Sequence, residues 1–323
     1  RREAQLAAMV EDSGHSEILT SSPGGRAHDR WLQRTISNAG QRLGRLRDRV
    51  LDAARLQRHY VVLDLNAGSG LLTWEIVRRA PEGGTWAMVR DRQAGEGLRQ
   101  QAEGLPELQR PVVLVVPLSS SGHGLEELPE LLALRSEGGL AGEAQLHFDA
   151  IVGRNALGLL ADKVQALQLL GTLLQPGGRI SLAETVVNQA QRLYDLVDLS
   201  SLGESLRGRV IEAEEGIYGE TSDPLVNWTA GDLQRDLEAA GFETVAVQEE
   251  DEESEALISP AAIEGWFAED PDRERPSYAQ HLLGRITAEE LAEVQVLFQR
   301  QLAGQSVPWR TQIAFIAGSW AGE

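Results

Sequence analysis

A short apolar run that ends in a carboxylate and a glycine-rich turn constrains this chain more than any other stretch. The run is Val61–Leu65, with Asp64 near its end, and the turn is Asn66–Gly70. The β-branched residues predict a strand, the glycines predict a tight turn, and the amphipathic pattern from Leu71 predicts a helix. This order places backbone N–H groups and a helix N-terminus at the carboxyl end of a strand. Open α/β sheets bind nucleotide-like ligands at that position.

The chain after residue 60 alternates short apolar runs with longer helical patterns. Apolar strands separated by helices predict right-handed βαβ units, and therefore a parallel sheet with both faces covered. The predicted strands span residues 61–65, 85–89, 111–116, 148–152, 179–183, 242–247 and 311–317. The helices predicted between the first five strands span residues 71–80, 93–103, 125–134 and 162–174.

Two stretches interrupt the alternation and are interpreted as inserts in a main domain that covers residues 61–323. The insert at 188–228 has a mixed pattern of helix and loop. The insert at 251–309 is expected to be mostly helical, with two helices within 259–303. The acidic run Glu249–Glu253 is expected to form a solvated loop, because a charge run is usually a solvated segment.

Residues 1–60 are predicted to form a helical N-terminal extension, with an amphipathic helix over 31–57. Arg42, Arg45 and Arg49 share one face of that helix, which is either solvated or a patch for nucleic acid or an acidic partner. The sequence does not begin with methionine, which is consistent with a domain of a longer chain. We therefore expect a partner or a covalently linked domain on the N-terminal side.

Composition excludes several classes of function. The formal net charge of −19 argues against broad nucleic-acid binding. The absence of cysteine excludes disulfides, thiolate nucleophiles and cysteine-ligated zinc, and the six histidines have no ligand spacing, so no metal site is expected. No apolar run is long enough to predict a membrane span. A cytoplasmic location is the simplest expectation.

Four segments resemble, in order, the motifs of class I S-adenosylmethionine-dependent methyltransferases. Leu63–Gly70 is similar to the family's cofactor-binding motif, and Phe148–Asn155 to its fourth strand and exit loop. Leu173–Ile180 resembles the segment that leads into the fifth strand, and Leu237–Phe242 the entry to the sixth. The resemblance implies an α/β, Rossmann-like methyltransferase fold. Its seven-stranded sheet would be mostly parallel, with an antiparallel last strand, helices on both faces, and S-adenosylmethionine as cofactor.

The resemblance also implies which residues contact the cofactor. Asp64 is suited to orient the cofactor ammonium through a charge-assisted bond, often mediated by water. Gly68 and Gly70 let the backbone approach without a Cβ clash. Asn66 stands where the family usually has glycine, and asparagine tolerates the left-handed conformation better than most residues. The cofactor-binding candidates are Asp64, Asn66, Ala67, Gly68, Gly70, Asp91, Ser119 and Asn155.

Two positions depart from the family pattern. The family usually has an acidic residue at the end of the second strand to accept the ribose hydroxyls, whereas this chain has Arg90 followed by Asp91. Asp91 serves either as that acceptor or as a helix N-cap. After the third strand, either Ser119 or the backbone contacts the adenine, since the usual acidic or amide side chain is missing.

No catalytic residue is assigned, and three candidates remain. Asn155 contacts substrate or cofactor, or caps a turn. Glu184 acts as a base or orients the substrate, or is an exposed carboxylate at a strand end. Tyr218 lines an acceptor pocket together with Asn227 and Trp228, or belongs to packing of the first insert.

The predicted function is methyl transfer from S-adenosylmethionine to an unidentified acceptor. The transfer is an in-line displacement in a pocket at the carboxyl ends of the strands, so positioning supplies much of the rate. A catalytically degenerate binding or scaffold domain of a larger protein is the first alternative. A nicotinamide-dependent oxidoreductase is the second, and Thr73 fits poorly where that fingerprint needs a small residue.

Overall fold

The computed structural model describes residues 26–117, 124–136, 146–268 and 276–322, and only the backbone of 26–38, 135 and 136. The strands are β1 (Val61–Asp64), β2 (Gly84–Val89), β3 (Val112–Val115), β4 (Phe148–Arg154), β5 (Leu174–Thr185), β6 (Phe242–Ile258) and β7 (Gln305–Trp320). They form one sheet in the order β3-β2-β1-β4-β5-β7-β6. Strands β1 to β5 are parallel, and β7 is antiparallel to both of its neighbours. The predicted Rossmann-like methyltransferase fold is therefore confirmed.

Helices cover both faces of this sheet. They are α1 (Arg26–Ala53), α2 (Thr73–Arg79), α3 (Arg92–Ala102), α4 (Leu128–Ser136), α5 (Lys163–Thr172), α6 (Glu204–Tyr218), α7 (Ala230–Ala239), α8 (Pro260–Phe267), α9 (Tyr278–Leu283) and α10 (Ala288–Leu302). Successive residues of β1 show the two layers, because Val62 and Leu63 are both fully buried but pack into different hydrophobic clusters. None of the helices in the described ranges is long and apolar enough to cross a membrane.

The helix α1 packs directly on the sheet. Leu46, Val50 and Leu51 are at most 5 % exposed and belong to one cluster with residues of β1 and β4. The Ser181 hydroxyl on β5 donates a 2.8 Å hydrogen bond to the Val50 carbonyl near the end of α1. The last turns of α1 thus complete the covering of one sheet face.

The acidic run Glu249–Glu253 is largely exposed, as expected, but the predicted loop is wrong, because these residues lie within β6. Their partners on β7 include Arg310, Thr311 and Gln312. The Gln312 amide donates a 2.9 Å hydrogen bond to Asp251, and Arg49 of α1 forms an ion pair with Glu250. Strand pairing with β7, one cross-strand hydrogen bond and one ion pair to α1 therefore hold a strand that local sequence does not indicate.

The two outer strands extend beyond the rest of the sheet. The pairing of β5 with β7 ends at Thr185 and Ile313, whereas the pairing of β6 with β7 continues to Ile258 and Gln305. Since β6 and β5 are both antiparallel to β7, they run in the same direction. The extension therefore projects past the carboxyl ends of the parallel strands, at the edge where such sheets bind ligands.

A helical lobe sits on this extension, made of two segments: residues 187–218, and the described residues 260–268 and 276–303. Residues of both segments share a hydrophobic cluster that includes Val210, Ile263 and Phe298, which are fully buried. The second segment contains α8, α9 and α10 rather than the two helices expected. Ser259 caps α8, and Thr287 forms a capping box with Glu290 at the start of α10.

Candidate functional site

Asp64 and Thr73 form a fully buried pair at the centre of the ligand edge. The Thr73 hydroxyl at the start of α2 donates a 2.7 Å hydrogen bond to Oδ2 of Asp64, the last residue of β1. This bond joins the strand end to the first helical turn across the glycine-rich turn. Sequence reasoning weighed Thr73 only by its size; a hydroxyl nine residues after the carboxylate was the signal that it missed.

The glycine-rich turn needs glycine at two positions. Gly68 and Gly70 have φ angles of +49° and +91°, in the left-handed region. A Cβ atom on Gly70 would also lie 2.2 Å from the Trp74 indole nitrogen. The Ala67 amide donates a 2.8 Å hydrogen bond to the Met88 carbonyl, which fixes the turn against β2. The backbone is therefore held close to the strand ends.

Asn66 and Asn155 connect the exits of β1, β4 and β5. Asn155 has a positive φ angle of +49°, whereas Asn66 is not among the described residues with positive φ. The expectation that asparagine at position 66 serves a left-handed backbone is therefore wrong. Instead, the Asn66 amide nitrogen donates to the carbonyls of Arg154 and Asn155, at 2.8 and 3.2 Å. The Asn155 side-chain oxygen accepts two 3.0 Å hydrogen bonds, from the Thr185 amide and hydroxyl. Both asparagines thus shape the exit loop of β4.

Arg90 crosses the ligand edge. It directly follows β2, and its Nη2 donates a 2.7 Å hydrogen bond to the Asn155 carbonyl at the exit of β4. Because β1 lies between β2 and β4 in the sheet, the Arg90 side chain passes over the end of β1. Sequence reasoning noted only that arginine cannot accept a ribose hydrogen bond, since a contact 65 residues away is not visible locally.

Asp91 is the N-cap of α3. Its Oδ1 accepts a 2.8 Å hydrogen bond from the Ala94 amide, and the residue is exposed. This is the structural role left open for Asp91 by the sequence. Ser119, the candidate adenine contact, lies outside the described residues.

Glu184 lies in β5 and is buried. The expectation of an exposed carboxylate at a strand end is therefore wrong. Its carboxylate accepts hydrogen bonds of 2.7, 3.1 and 3.1 Å from the amides of Ala156, Leu157 and Gly158. Burial raises the pKa of the Glu184 carboxyl, and these amides act in the opposite direction. With three backbone donors on its two oxygens, Glu184 holds the loop after β4 in place.

Lys163, the single lysine, is a buried residue beside this loop that sequence reasoning left without a role. It is 6 % exposed, and its amine donates to the carbonyls of Leu160 and Pro224, at 2.9 and 3.0 Å. Burial lowers the pKa of the Lys163 amine, while the charges of Glu184 and Asp236 raise it. Lys163 therefore fastens the segment before α7 to the start of α5. That the chain has a single lysine was the signal in the sequence that could have pointed to this role.

Tyr218 lies in the helical lobe, apart from the strand-end residues. Its hydroxyl is 3.5 Å from the Gln191 carbonyl, and the Arg192 guanidinium stacks 3.7 Å from its ring centre. Nearby, Glu214 is fully buried and accepts hydrogen bonds from the Tyr278 hydroxyl, at 2.8 Å, and the Leu193 amide. Burial raises the pKa of Glu214 to about 7. Glu214, which sequence reasoning missed, joins the two segments of the lobe.

The structure thus brings together most of the predicted site residues at the carboxyl ends of β1, β2, β4 and β5. Tyr218 lies in the lobe above this edge, and Asp91 faces outward on α3. A cavity of about 460 Å³ lies elsewhere, between α2 and α3, and is lined by Trp74, Val77, Pro81 and Leu105 among others. Among the described residues, no group of three acidic or histidine side chains is placed to hold a metal ion.

The chain is similar to several solved structures at low sequence identity. They include a proposed sarcosine dimethylglycine methyltransferase from Galdieria sulphuraria (14 % identity, 98 % of this chain and 99 % of that chain covered, TM-score 0.48). A proposed methyltransferase from Bacillus halodurans C-125 is 13 % identical, with 85 % of this chain and 99 % of that chain covered and a TM-score of 0.46. A third is a phosphoethanolamine N-methyltransferase 2 from Haemonchus contortus, solved in complex with phosphomonomethylethanolamine and S-adenosylhomocysteine. It is 12 % identical, with 86 % of this chain and 53 % of that chain covered and a TM-score of 0.43. No protein-family model and no curated protein sequence matches the chain. The likeness concerns the fold alone.

Proposed function

We propose that the chain binds S-adenosylmethionine across the carboxyl ends of β1, β2 and β4, and transfers its methyl group to an acceptor held below the helical lobe. The observation that carries this proposal is the buried Asp64–Thr73 pair beneath a turn with two left-handed glycines. A buried carboxylate at a strand end suits an ammonium group better than a phosphate. The position of this pair at the end of β1, a central strand of the sheet, supports the proposal, because open α/β sheets bind ligands at the carboxyl ends of their strands.

The residues of the turn fit the methionine end of the cofactor. Asp64 would face its ammonium group, and the backbone at Gly68 and Gly70 allows close approach. The Ser69 hydroxyl is buried in the same turn and has no hydrogen-bond partner within the described parts of the chain, so it offers a further donor. The fit is weaker at the ribose, where Asp91 already caps α3 through one of its two oxygens.

The chemistry asked of the protein is mainly positioning. When bound, the cofactor supplies an activated methyl group; the chain has to hold the acceptor in line with it and exclude water. Glu184 and Asn155 fix the loop that follows β4, and this loop borders both ligand positions. We assign them as positioning residues. Tyr218 remains a candidate for contact with the acceptor, since its lobe projects over this edge.

Binding of the cofactor and of its demethylated product, S-adenosylhomocysteine, can be measured by isothermal titration calorimetry. We expect Asp64→Asn to weaken binding of S-adenosylmethionine at least about tenfold, because it removes the charge that faces the ammonium group. The matched control is Asp149→Asn. Asp149 accepts a hydrogen bond from the Val61 amide at the opposite end of β1, so its loss should leave affinity unchanged. Equal effects of both substitutions, or no binding by the natural chain, would refute the proposal.

A second candidate is a methyltransferase-like binding domain without activity. The specific observation in its favour is that the ribose position holds Arg90, engaged with the Asn155 carbonyl, beside an Asp91 that caps a helix. This candidate predicts no heat of binding with either ligand. Thermal-shift measurements with nicotinamide dinucleotides in parallel test the oxidoreductase alternative, since a ligand at a hundredfold excess over its Kd stabilises by about 2.7 kcal/mol.

A further inference from the structure

The crossing of Arg90 over the end of β1 has a direct consequence for ligands. A ligand that contacts β2, β1 and β4 together must pass through the space between the ends of β2 and β4. The Arg90 side chain spans that space, because it starts after Val89 on β2 and ends 2.7 Å from the Asn155 carbonyl. The ligand and this hydrogen bond therefore compete for the same region.

The acceptor end of this contact is held rigidly. Asn155 has a left-handed backbone, and its side chain is fixed by two hydrogen bonds from Thr185. The Asn66 amide donates to the same carbonyl that receives Arg90. The next residues of the loop are bound by the Glu184 carboxylate. Because this carbonyl cannot easily move away, opening of the contact requires a movement of the Arg90 side chain.

We propose that Arg90 controls access to the ligand edge: its hydrogen bond to Asn155 closes the span over β1, and any ligand bound there displaces it. This inference rests on the proposed function for the identity of its probe, S-adenosylhomocysteine. If the closed arrangement dominates, the apparent affinity falls by the fraction of molecules that are open. A net hydrogen-bond contribution of about 0.5 to 1.5 kcal/mol corresponds to an affinity reduced roughly two- to tenfold.

The test compares the natural chain with Arg90→Ala by isothermal titration calorimetry with S-adenosylhomocysteine, after thermal melts show that both are folded. We expect Arg90→Ala to bind about two- to tenfold more tightly, and Arg90→Lys, which keeps one donor, to fall between. Arg110→Ala is the matched control, because Arg110 also donates to backbone carbonyls, of Glu103 and Leu105, but away from the edge. It should not change the affinity. If Arg90→Ala does not fold, Arg90→Met, which keeps the aliphatic stem, replaces it.

The outcomes separate this inference from the proposed function. If the natural chain binds and Arg90→Ala binds equally or more weakly, the access role is refuted and the proposed function stands. If only the alanine variant binds, the access role is supported, and the natural chain alone does not act as proposed. If neither binds, both proposals are refuted.

Discussion

The Thr73 hydroxyl donates a 2.7 Å hydrogen bond to Oδ2 of Asp64, and both residues are fully buried. The two residues belong to different elements, β1 and α2, that the glycine-rich turn separates. A buried carboxylate needs such a donor, because an unmet hydrogen bond in the interior costs free energy. The pair therefore stabilises the turn and orients the carboxylate at the ligand edge.

We expect Thr73→Ala to lower the free energy of unfolding by about 1 to 3 kcal/mol, since it removes a donor from a buried carboxylate. Thr73→Ser keeps the hydroxyl and serves as the control, with a smaller loss from the missing methyl group. Urea-induced unfolding followed by circular dichroism measures both. A serine variant as unstable as the alanine variant would show that packing, not the hydrogen bond, is what Thr73 contributes.

Gly70→Ala should destabilise the chain by more than about 2 kcal/mol. The substitution combines a φ angle of +91° with a contact of 2.2 Å to the Trp74 indole. Gly97→Ala is the matched control, because Gly97 lies within α3 with no atom within 4 Å of the added carbon. It should raise stability by about 0.5 to 1 kcal/mol, the helix propensity difference between glycine and alanine. Thermal melts that show the same sign for both would contradict this.

The stability of the lobe should depend on the protonation of Glu214. Burial raises its pKa from 4.5 to about 7, so the folded chain binds the proton more tightly than the unfolded chain. The contribution of Glu214 is most favourable below about pH 4.5 and is lost as the pH rises through about 7, by about 3 kcal/mol in total.

Urea unfolding at pH 5 and pH 8 tests this difference. Glu214→Gln should remove this part of the pH dependence, so that its stability relative to the natural chain improves at pH 8. Substitution of the adjacent Glu215 is the control. Its hydrogen bond to Arg192 lowers its pKa, so its contribution is lost as the pH falls. If Glu214→Gln keeps the pH dependence of the natural chain, the titrating group lies elsewhere.

Lys163 should resist amine-reactive reagents in the folded chain. It is 6 % exposed, and its amine donates to two backbone carbonyls. Mass spectrometry of the peptide that contains it is expected to show slow acetylation in native buffer and rapid acetylation in urea. Lys163→Met should lower stability by about 1 to 3 kcal/mol, because two buried carbonyls lose their donor, and Lys163→Arg should recover part of it. Rapid acetylation of the native chain would contradict the buried position.

Local signals in the sequence predict much of this fold for a clear reason. The apolar strands and the glycines at 68 and 70 each depend on residues a few positions apart. Such patterns predict an element wherever its residues interact mainly with each other. The order of these elements, together with the family resemblance, then predicts the sheet.

Long-range partners decide the remainder. The acidic run Glu249–Glu253 forms a strand only because Arg310, Thr311 and Gln312 pair with it from about sixty residues away. The two inserts form one lobe because their apolar faces pack against each other. The apolar pattern of one insert does not indicate that the other insert is what covers it.

At the ligand edge, the sequence by itself determined the strand, the carboxylate and the glycine-rich turn. Only the tertiary structure placed Thr73 against Asp64 and Arg90 against Asn155. The physical reason is that a turn follows from the backbone preferences of its own residues. A hydrogen bond between two strand ends, such as that from Arg90 to Asn155, depends in contrast on the order in which the sheet assembles the strands, and the bond from Thr73 to Asp64 depends on how α2 packs against β1.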